Sequence, residues 1–202
     1  MTYTIETVLI VEDEESLADL YARLVGTEYE TMTAYSGEAA VETIDETVDA
    51  VFLDRKMPGI GGGEVLTRLR EQGYEVPVAM ITAVRPDWDV IDMRFDDYLL
   101  KPVDTTELID AVDRLEVLGS TDREVREFIR QTVKQAALEG EKEAPALDSH
   151  EPFETLKSDV ADMSSRLGDI TAELSPEATE LVVETITRNL GAPGGAGEAD
   201  TL

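Results

Sequence analysis

Carboxylates stand at the ends of two apolar runs in the sequence. Glu12 and Asp13 directly follow the run 8–11, and Asp54 directly follows the run 50–53. An isolated acid in such a position is usually a turn former or a helix N-cap. Three acids brought together would repel one another, and one would tend to stay protonated unless a cation is bound. Because hard divalent ions take oxygen ligands, these residues are suited to binding Mg²⁺.

A hydroxyl and an amine extend this chemistry toward phosphate. Thr82 ends another apolar run, and Lys101 follows a further one. A lysine and a hydroxyl suit the equatorial oxygens of a phosphoryl group in transfer. A carboxylate can itself be the nucleophile and form an aspartyl phosphate. If the fold brings these residues to one place, they predict a metal-assisted phosphoryl acceptor.

The composition excludes several other chemistries. The sequence has no cysteine, which excludes disulfides, thiolate catalysis and cysteine-ligated zinc. His150 is the only histidine, so one chain cannot assemble a catalytic triad or a histidine metal cluster. No apolar run approaches the ~20 residues that span a bilayer, and the N-terminus lacks the layout of a signal peptide. We therefore expect a cytoplasmic protein without membrane insertion.

The net charge is strongly negative. Seventeen basic residues against 45 acidic ones give −28, and the acids are spread over the whole chain. Such self-repulsion destabilises a compact state unless salt screens it. This balance predicts a salt-rich cytoplasm, as in halophilic archaea. The alternative is an acidic protein of a mesophile.

Strand and helix patterns alternate from residue 7 to about residue 118. The strand patterns are 8–11, 30–34, 50–53, 77–81 and 98–100. Their alternation with amphipathic helical patterns predicts a doubly wound, flavodoxin-like parallel sheet of five strands with helices on both faces. Ligands of such sheets collect at the carboxyl ends of the strands, which is where the acids, the hydroxyl and the amine fall.

Five motifs in this order resemble the receiver domain of two-component response regulators, over roughly residues 5–118. They are Glu12-Asp13, Asp54 with Met57-Pro58-Gly59, Thr82-Ala83, Tyr98, and Lys101-Pro102. The resemblance implies a CheY-like fold in which a sensor histidine kinase phosphorylates Asp54. It implies no enzymatic turnover of an external substrate, and at most hydrolysis of the protein's own acyl phosphate.

The resemblance also implies a role for each residue of the site. Asp13 and Asp54 would bind Mg²⁺ directly, Glu12 would act largely through water, and Lys56 would contribute its backbone carbonyl. The remaining residues would act on the phosphoryl group or respond to it. Lys101 would pair with one phosphoryl oxygen, Thr82 would donate its hydroxyl to another, and Tyr98 would be the switch aromatic.

The chain departs from the family pattern between Thr82 and Lys101. This segment is a few residues short, and Phe95-Asp96 stands where the family has Gly-Ala. We therefore expect a short fourth helix that begins near Pro86, a good first helical residue. The face that commonly mediates dimerisation would be remodelled, so a homodimer stays open.

The residues after 118 carry helical patterns. Gly119-Ser120 is interpreted as the end of the receiver, and Ser120-Thr121 as the cap of a helix that runs to about Leu138. After a loop, seven apolar residues recur at steps of four and three: Phe153, Leu156, Val160, Met163, Leu167, Ile170 and Leu174. This seam fits a coiled coil or, as we favour, a helical hairpin with the preceding helix, because so short a coil is marginal alone.

A second resemblance covers this region. Residues 133–160 resemble the HalX domain that follows receivers in haloarchaeal proteins, and the match extends over roughly 123–174. The predicted organisation is a receiver domain (1–118), a HalX-like helical or coiled-coil domain (119–174), a C-terminal helix (175–190) and a flexible tail (191–202).

Two outputs are compatible with this organisation. One is contact with an unknown downstream protein through the C-terminal helices. The other is DNA binding by the basic stripe, which is Arg123, Arg126, Arg130 and Lys134 at helical spacing. Acids interleave with this stripe and the overall charge repels nucleic acid, so we favour a solvated, salt-bridged face.

Overall fold

The computed structural model describes residues 3–168 of the chain. Its first part alternates strands and helices: β1 (Thr7–Val11), α1 (Glu15–Val25), β2 (Glu30–Ala34), α2 (Gly37–Thr43), β3 (Ala50–Leu53), α3 (Gly62–Glu71), β4 (Val78–Thr82), a 3-10 helix (Trp88–Asp92), β5 (Asp97–Leu100) and α4 (Thr105–Ser120). Its second part is helical: α5 (Arg123–Glu141), α6 (Ala144–Asp148) and α7 (Glu151–Gly168). The predicted helix 175–190, the tail 191–202, and Ile170 and Leu174 of the seam lie outside the described residues.

All five strands form one parallel sheet in the order β2-β1-β3-β4-β5. Val11 at the end of β1 pairs with Leu53 at the end of β3, so the two acid-bearing strand ends lie side by side. Every residue of β3 and β4 is buried, as expected for strands covered on both faces. The predicted flavodoxin-like fold is therefore confirmed.

Local signals explain where the helices begin. The hydroxyl of Ser36 accepts a hydrogen bond of 3.1 Å from the backbone N–H of Ala39, which caps α2. Asp104 and Glu107 form a reciprocal capping box at the start of α4. The apolar face of α4 is buried against the sheet at Leu108, Ala111, Val112 and Leu115.

The fourth helix and the helical region differ in detail from the expectation. The fourth helix is one 3-10 turn that begins after Asp87, whose carboxylate accepts from the N–H of Trp88 at 2.8 Å, and not at Pro86. Helix α4 continues through Gly119 to Ser120, and α5 begins after Asp122. The segment read as a loop contains α6, whose second residue is proline, a position that needs no backbone N–H.

Helices α5 and α7 form a hairpin. The seam residues Phe153 and Leu156 are buried, and Val160 and Met163 pack on the same core. That core also includes residues of the sheet and of α4, so the hairpin is joined to the sheet domain. The hairpin interpretation of the seam agrees with this packing.

Candidate functional site

Three carboxylates meet at the carboxyl end of the sheet. Glu12, Asp13 and Asp54 each offer an oxygen within 4.8 Å of the others. The backbone N–H of Asp54 donates to the carbonyl of Val11 at 2.9 Å, so the strand ladder itself positions the carboxylate beside β1. Glu12 and Asp54 are buried, whereas Asp13 is exposed. The sequence-based expectation that these acids converge agrees with the geometry.

Lys101 lies between two of these acids. Its Nζ donates to Glu12 Oε2 and lies 3.4 Å from Asp54 Oδ2. Burial raises the pKa of Glu12, and the Lys101 ammonium offsets part of that rise. Three ionised carboxylates and one ammonium carry two net negative charges. An all-oxygen donor set with this charge fits a hard divalent cation such as Mg²⁺.

Thr82 and Tyr98 are linked through the loop that follows β4. Thr82 is fully buried, and its Oγ1 accepts from the N–H of Val84 at 3.2 Å. The Tyr98 hydroxyl donates to the carbonyl of Val84 at 2.7 Å and accepts from Arg55 Nη1 at 3.3 Å. Burial raises the pKa of Tyr98, and Arg55 offsets part of that rise. The two residues therefore bond to the same residue, Val84, Thr82 at its N–H and Tyr98 at its carbonyl.

The loop after Asp54 depends on two glycines, Gly59 of the Met57-Pro58-Gly59 motif and Gly62, which no sequence motif indicated. Gly59 has a φ of 75°, a backbone conformation that favours glycine. A Cβ on Gly62 would lie 2.2 Å from the carbonyl oxygen of Asp54, so a larger residue would displace the loop. The side chain of Lys56, in the same loop, is exposed. For Gly62, the run Gly61-Gly62-Gly63 was the available signal in the sequence.

A second polar cluster was not foreseen from the sequence. Asp96 is buried, and its two oxygens accept from Arg126 Nε at 2.8 Å, Arg126 Nη2 at 3.0 Å, Arg130 Nε at 2.9 Å and the N–H of Val78 at 2.8 Å. Arg70 Nη2 lies 3.8 Å from the same carboxylate. Burial alone would raise the pKa of Asp96, but Arg126 and Arg130 hold it below its ordinary value. The available signal was an acid where the family has a small residue.

The basic stripe faces the sheet domain, not solvent. Arg130 and Lys134 are buried, and Arg126 also donates to the carbonyl of Glu75 at 2.9 Å. Of the four stripe residues only Arg123 is exposed. The expectation of a salt-bridged face is right for Arg126 and Arg130, but the expectation that the face is solvated is wrong. Its long-range partners are Asp96 just before β5, Glu75 before β4 and Ile91 in the 3-10 helix.

The burial of Lys134 makes the stability of the folded protein depend on pH. Its Nζ donates to the carbonyl of Ile91 at 2.8 Å, and burial lowers its pKa from 10.5 to about 8. Between these two values the unfolded chain binds more protons than the folded one, so stability rises with pH. Below about pH 8 the full cost of burying the ammonium is present.

We expect Lys134→Met to remove this pH dependence. The free energy of unfolding of the wild type should gain on the variant by on the order of 3 kcal/mol between pH 8 and pH 10.5. Denaturant titrations across that range measure the difference. Lys157→Met, at a lysine whose side chain is 51% exposed, is the control. Parallel pH profiles for the wild type and Lys134→Met would contradict the expectation.

The strand order and the acidic carboxyl edge define a CheY-like receiver fold. The family model of the response regulator receiver domain matches residues 8–113, and the model of the HalX domain matches residues 117–183. The chain therefore belongs to the response regulator receiver family and carries a HalX domain after the receiver.

Curated relatives and solved structures agree with this assignment. A protein of the halophilic archaeon Haloferax volcanii, named "Putative transcriptional regulator", is 41% identical over 170 residues, which cover 83% of this chain and 28% of that protein. The sensory transduction protein RegX3 of Mycobacterium bovis is 42% identical over 108 residues, which cover 51% of this chain and 47% of that protein. The chain thus spans less than half the length of either relative.

The structural comparison covers the receiver part. The receiver domain of the Francisella response regulator 1452 matches with a TM-score of 0.50 and 28% identity, over 55% of this chain and 96% of that one. Within residues 3–168, no helix is both long enough and apolar enough to cross a membrane.

Proposed function

We propose that the protein is a two-component response regulator that accepts a phosphoryl group on Asp54 from a sensor histidine kinase and requires Mg²⁺. One observation carries this proposal: a buried strand-end carboxylate lies within 4.8 Å of two other acids and 3.4 Å from a lysine ammonium. A carboxylate that only forms a turn does not require two further acids and a partly buried cation beside it. We place the protein in the cytoplasm.

Asp54 supplies the nucleophile in this proposal. A carboxylate oxygen of Asp54 forms the bond to phosphorus while the bond between phosphorus and the donor's histidine nitrogen breaks. Asp13, Asp54 and the carbonyl of Lys56 would hold the metal, with Glu12 acting through water. When bound, Mg²⁺ neutralises charge on the phosphoryl oxygens. Lys101 adds a second positive charge, and the burial of Asp54 limits access of water to the acyl phosphate.

In this proposal, Thr82 and Tyr98 respond to the negative charge of the phosphoryl group on Asp54. A phosphoryl group adds about two negative charges and three acceptor oxygens. The Thr82 hydroxyl would donate to one of those oxygens, which weakens its present bond from the Val84 N–H. Because Tyr98 holds the carbonyl of the same residue, the loop after β4 has two anchors that respond together.

Metal dependence tests the proposal. We expect the wild type to take up phosphate from a small acyl phosphate donor when Mg²⁺ is present, and to lose that uptake to background when EDTA removes the metal. Gels that retard phosphoproteins measure the fraction modified in high salt. Added Mg²⁺ should restore the uptake. Equal uptake with and without the chelator would contradict a metal-assisted acceptor.

The output we propose is protein–protein contact through the helices that follow the receiver, with residues 1–118 as the receiver and 119–174 as the helical module. A receiver followed by a HalX domain suggests a regulator without enzymatic turnover. Hydrolysis of its own acyl phosphate is the one reaction we assign to it.

DNA binding is the second candidate, because the Haloferax volcanii relative is named as a transcriptional regulator. Against it, the stripe residues Arg130 and Lys134 are buried in contacts with the sheet domain. Gel-shift assays in high salt, with and without a phosphoryl mimic, separate the two candidates. A retarded band that Arg123→Ala abolishes would favour DNA binding.

A further inference from the structure

Arg55, the residue after the proposed phosphoacceptor, contacts three parts of the region that follows β4. Its Nη1 donates to the Tyr98 hydroxyl at 3.3 Å and to the carbonyl of Arg85 at 3.5 Å, and its Nη2 pairs with Asp89 in the 3-10 helix. The Arg55 side chain is 9% exposed, so it is held within the structure. One guanidinium therefore ties the end of β3 to β5, to the loop and to the 3-10 helix.

The same segment, 84–92, is also bound by α5 of the helical hairpin and by residues of the connection between α5 and α7. The ring of His150 stacks on Trp88 at 3.8 Å and 7°. Lys142 Nζ lies 2.8 Å from Asp87 Oδ1, and Lys134 Nζ donates to the carbonyl of Ile91. Segment 84–92 thus lies between the acceptor site and the hairpin and contacts both.

We propose that Arg55 is a positioning residue that couples the charge at Asp54 to the docking of the helical hairpin through segment 84–92. This inference rests on the proposed function. Arg55 holds the segment in the place that the hairpin fits. A phosphoryl group on the neighbouring residue competes with Asp89 for the guanidinium, while Thr82 leaves Val84. Both anchors of the segment weaken together, and the contacts of Trp88 with the hairpin loosen.

The single tryptophan makes this coupling observable, because Trp88 itself lies in the hairpin contact. In the full chain in high salt, we expect Mg²⁺ with beryllofluoride to change the Trp88 emission. In Arg55→Ala the emission should begin near the value of the mimic-bound wild type and change little on addition of the mimic. Beryllofluoride should bind the variant about fivefold more tightly, because the wild type must break the coupled contacts first.

Two variants make the comparison specific. Arg68→Ala removes an exposed arginine–glutamate pair on α3 and should keep the wild-type emission response and affinity. Arg55→Lys keeps the charge and should restore part of the emission response, which a purely structural loss would not do. If Arg55→Ala responds like Arg68→Ala, the proposal is wrong. If Arg55→Ala no longer binds the mimic, Arg55 belongs to the acceptor site itself and the proposal is also wrong.

Calorimetry shows whether the wild type binds beryllofluoride at all, and a failure to bind contradicts the proposed function.

A second test of Arg55 needs no phosphoryl mimic. Independently, Arg55→Ala should speed amide hydrogen exchange in α5 and α7, and Asp89→Asn should do so to a smaller extent, because Arg55 keeps its bonds to Tyr98 and to the Arg85 carbonyl in that variant. The double variant should exchange no faster than Arg55→Ala, because Arg55→Ala already removes the pair with Asp89. Additive effects, or unchanged exchange in both, would overturn the role of Arg55.

Discussion

Asp54→Asn is expected to abolish phosphoryl uptake from an acyl phosphate donor. The amide that replaces the carboxylate cannot form an acyl phosphate, whereas the contacts of β3 with β1 are made by the backbone and should survive. Loss of a nucleophile costs about a thousandfold or more in rate, so uptake should fall to background. Gels that retard phosphoproteins, run in high salt after reaction with the donor, measure the fraction modified.

The control for this variant is a neighbouring acid outside the cluster. Glu14→Gln removes an exposed carboxylate two residues after Glu12 and should leave uptake near the wild-type level. The free energy of unfolding of Asp54→Asn shows whether the variant is folded. Wild-type uptake by a folded Asp54→Asn would place the acceptor elsewhere in the chain.

Asp96→Asn is expected to cost about 3–5 kcal/mol of stability, because it removes the buried carboxylate that the Arg126 and Arg130 guanidiniums share. Burial of Arg70 already lowers its pKa to about 10, and the loss of Asp96 would remove the strongest charge interaction that offsets this effect. Denaturant titration followed by Trp88 emission measures the change.

An exposed ion pair provides the comparison for Asp96. Glu75→Gln breaks the pair of Glu75 with Arg94, whose side chains are 56% and 41% exposed. Exposed pairs contribute about 0–1 kcal/mol, so this variant should unfold almost as the wild type does. Equal stability of the Asp96 and Glu75 variants would contradict a structural role for the buried cluster. The Asp96 variant should also exchange amide hydrogens faster in α5, since Arg126 and Arg130 of that helix lose the carboxylate they share.

The strands and the acids that follow them could be predicted from the sequence because both are local signals. A short apolar run that ends in an acid gives the strand, its end and the candidate ligand at once. The predicted strand 30–34 agrees with the structure for the same reason. The parallel arrangement then followed from the alternation with helices, and it alone brings Asp54 next to β1.

The docking of the helical hairpin could not be predicted in the same way. Helical periodicity shows that Arg126, Arg130 and Lys134 share a face, but it does not show what that face meets. Their partners, Asp96 and the carbonyl of Ile91, lie 30 or more residues away in the sequence. The net charge of the chain favoured a solvated face for these residues. The face is buried instead, because the carboxylate of Asp96 pairs with the arginines and a paired guanidinium tolerates burial.

The most direct test of the phosphoacceptor site is a crystal structure of the full chain grown with Mg²⁺ and beryllofluoride. We expect the metal between the carboxylates of Asp13 and Asp54, the beryllium bonded to an oxygen of Asp54, and Lys101 and Thr82 in contact with the fluorides. A structure in which the metal lies away from these acids, or in which beryllofluoride leaves Asp54 free, would contradict the assignment.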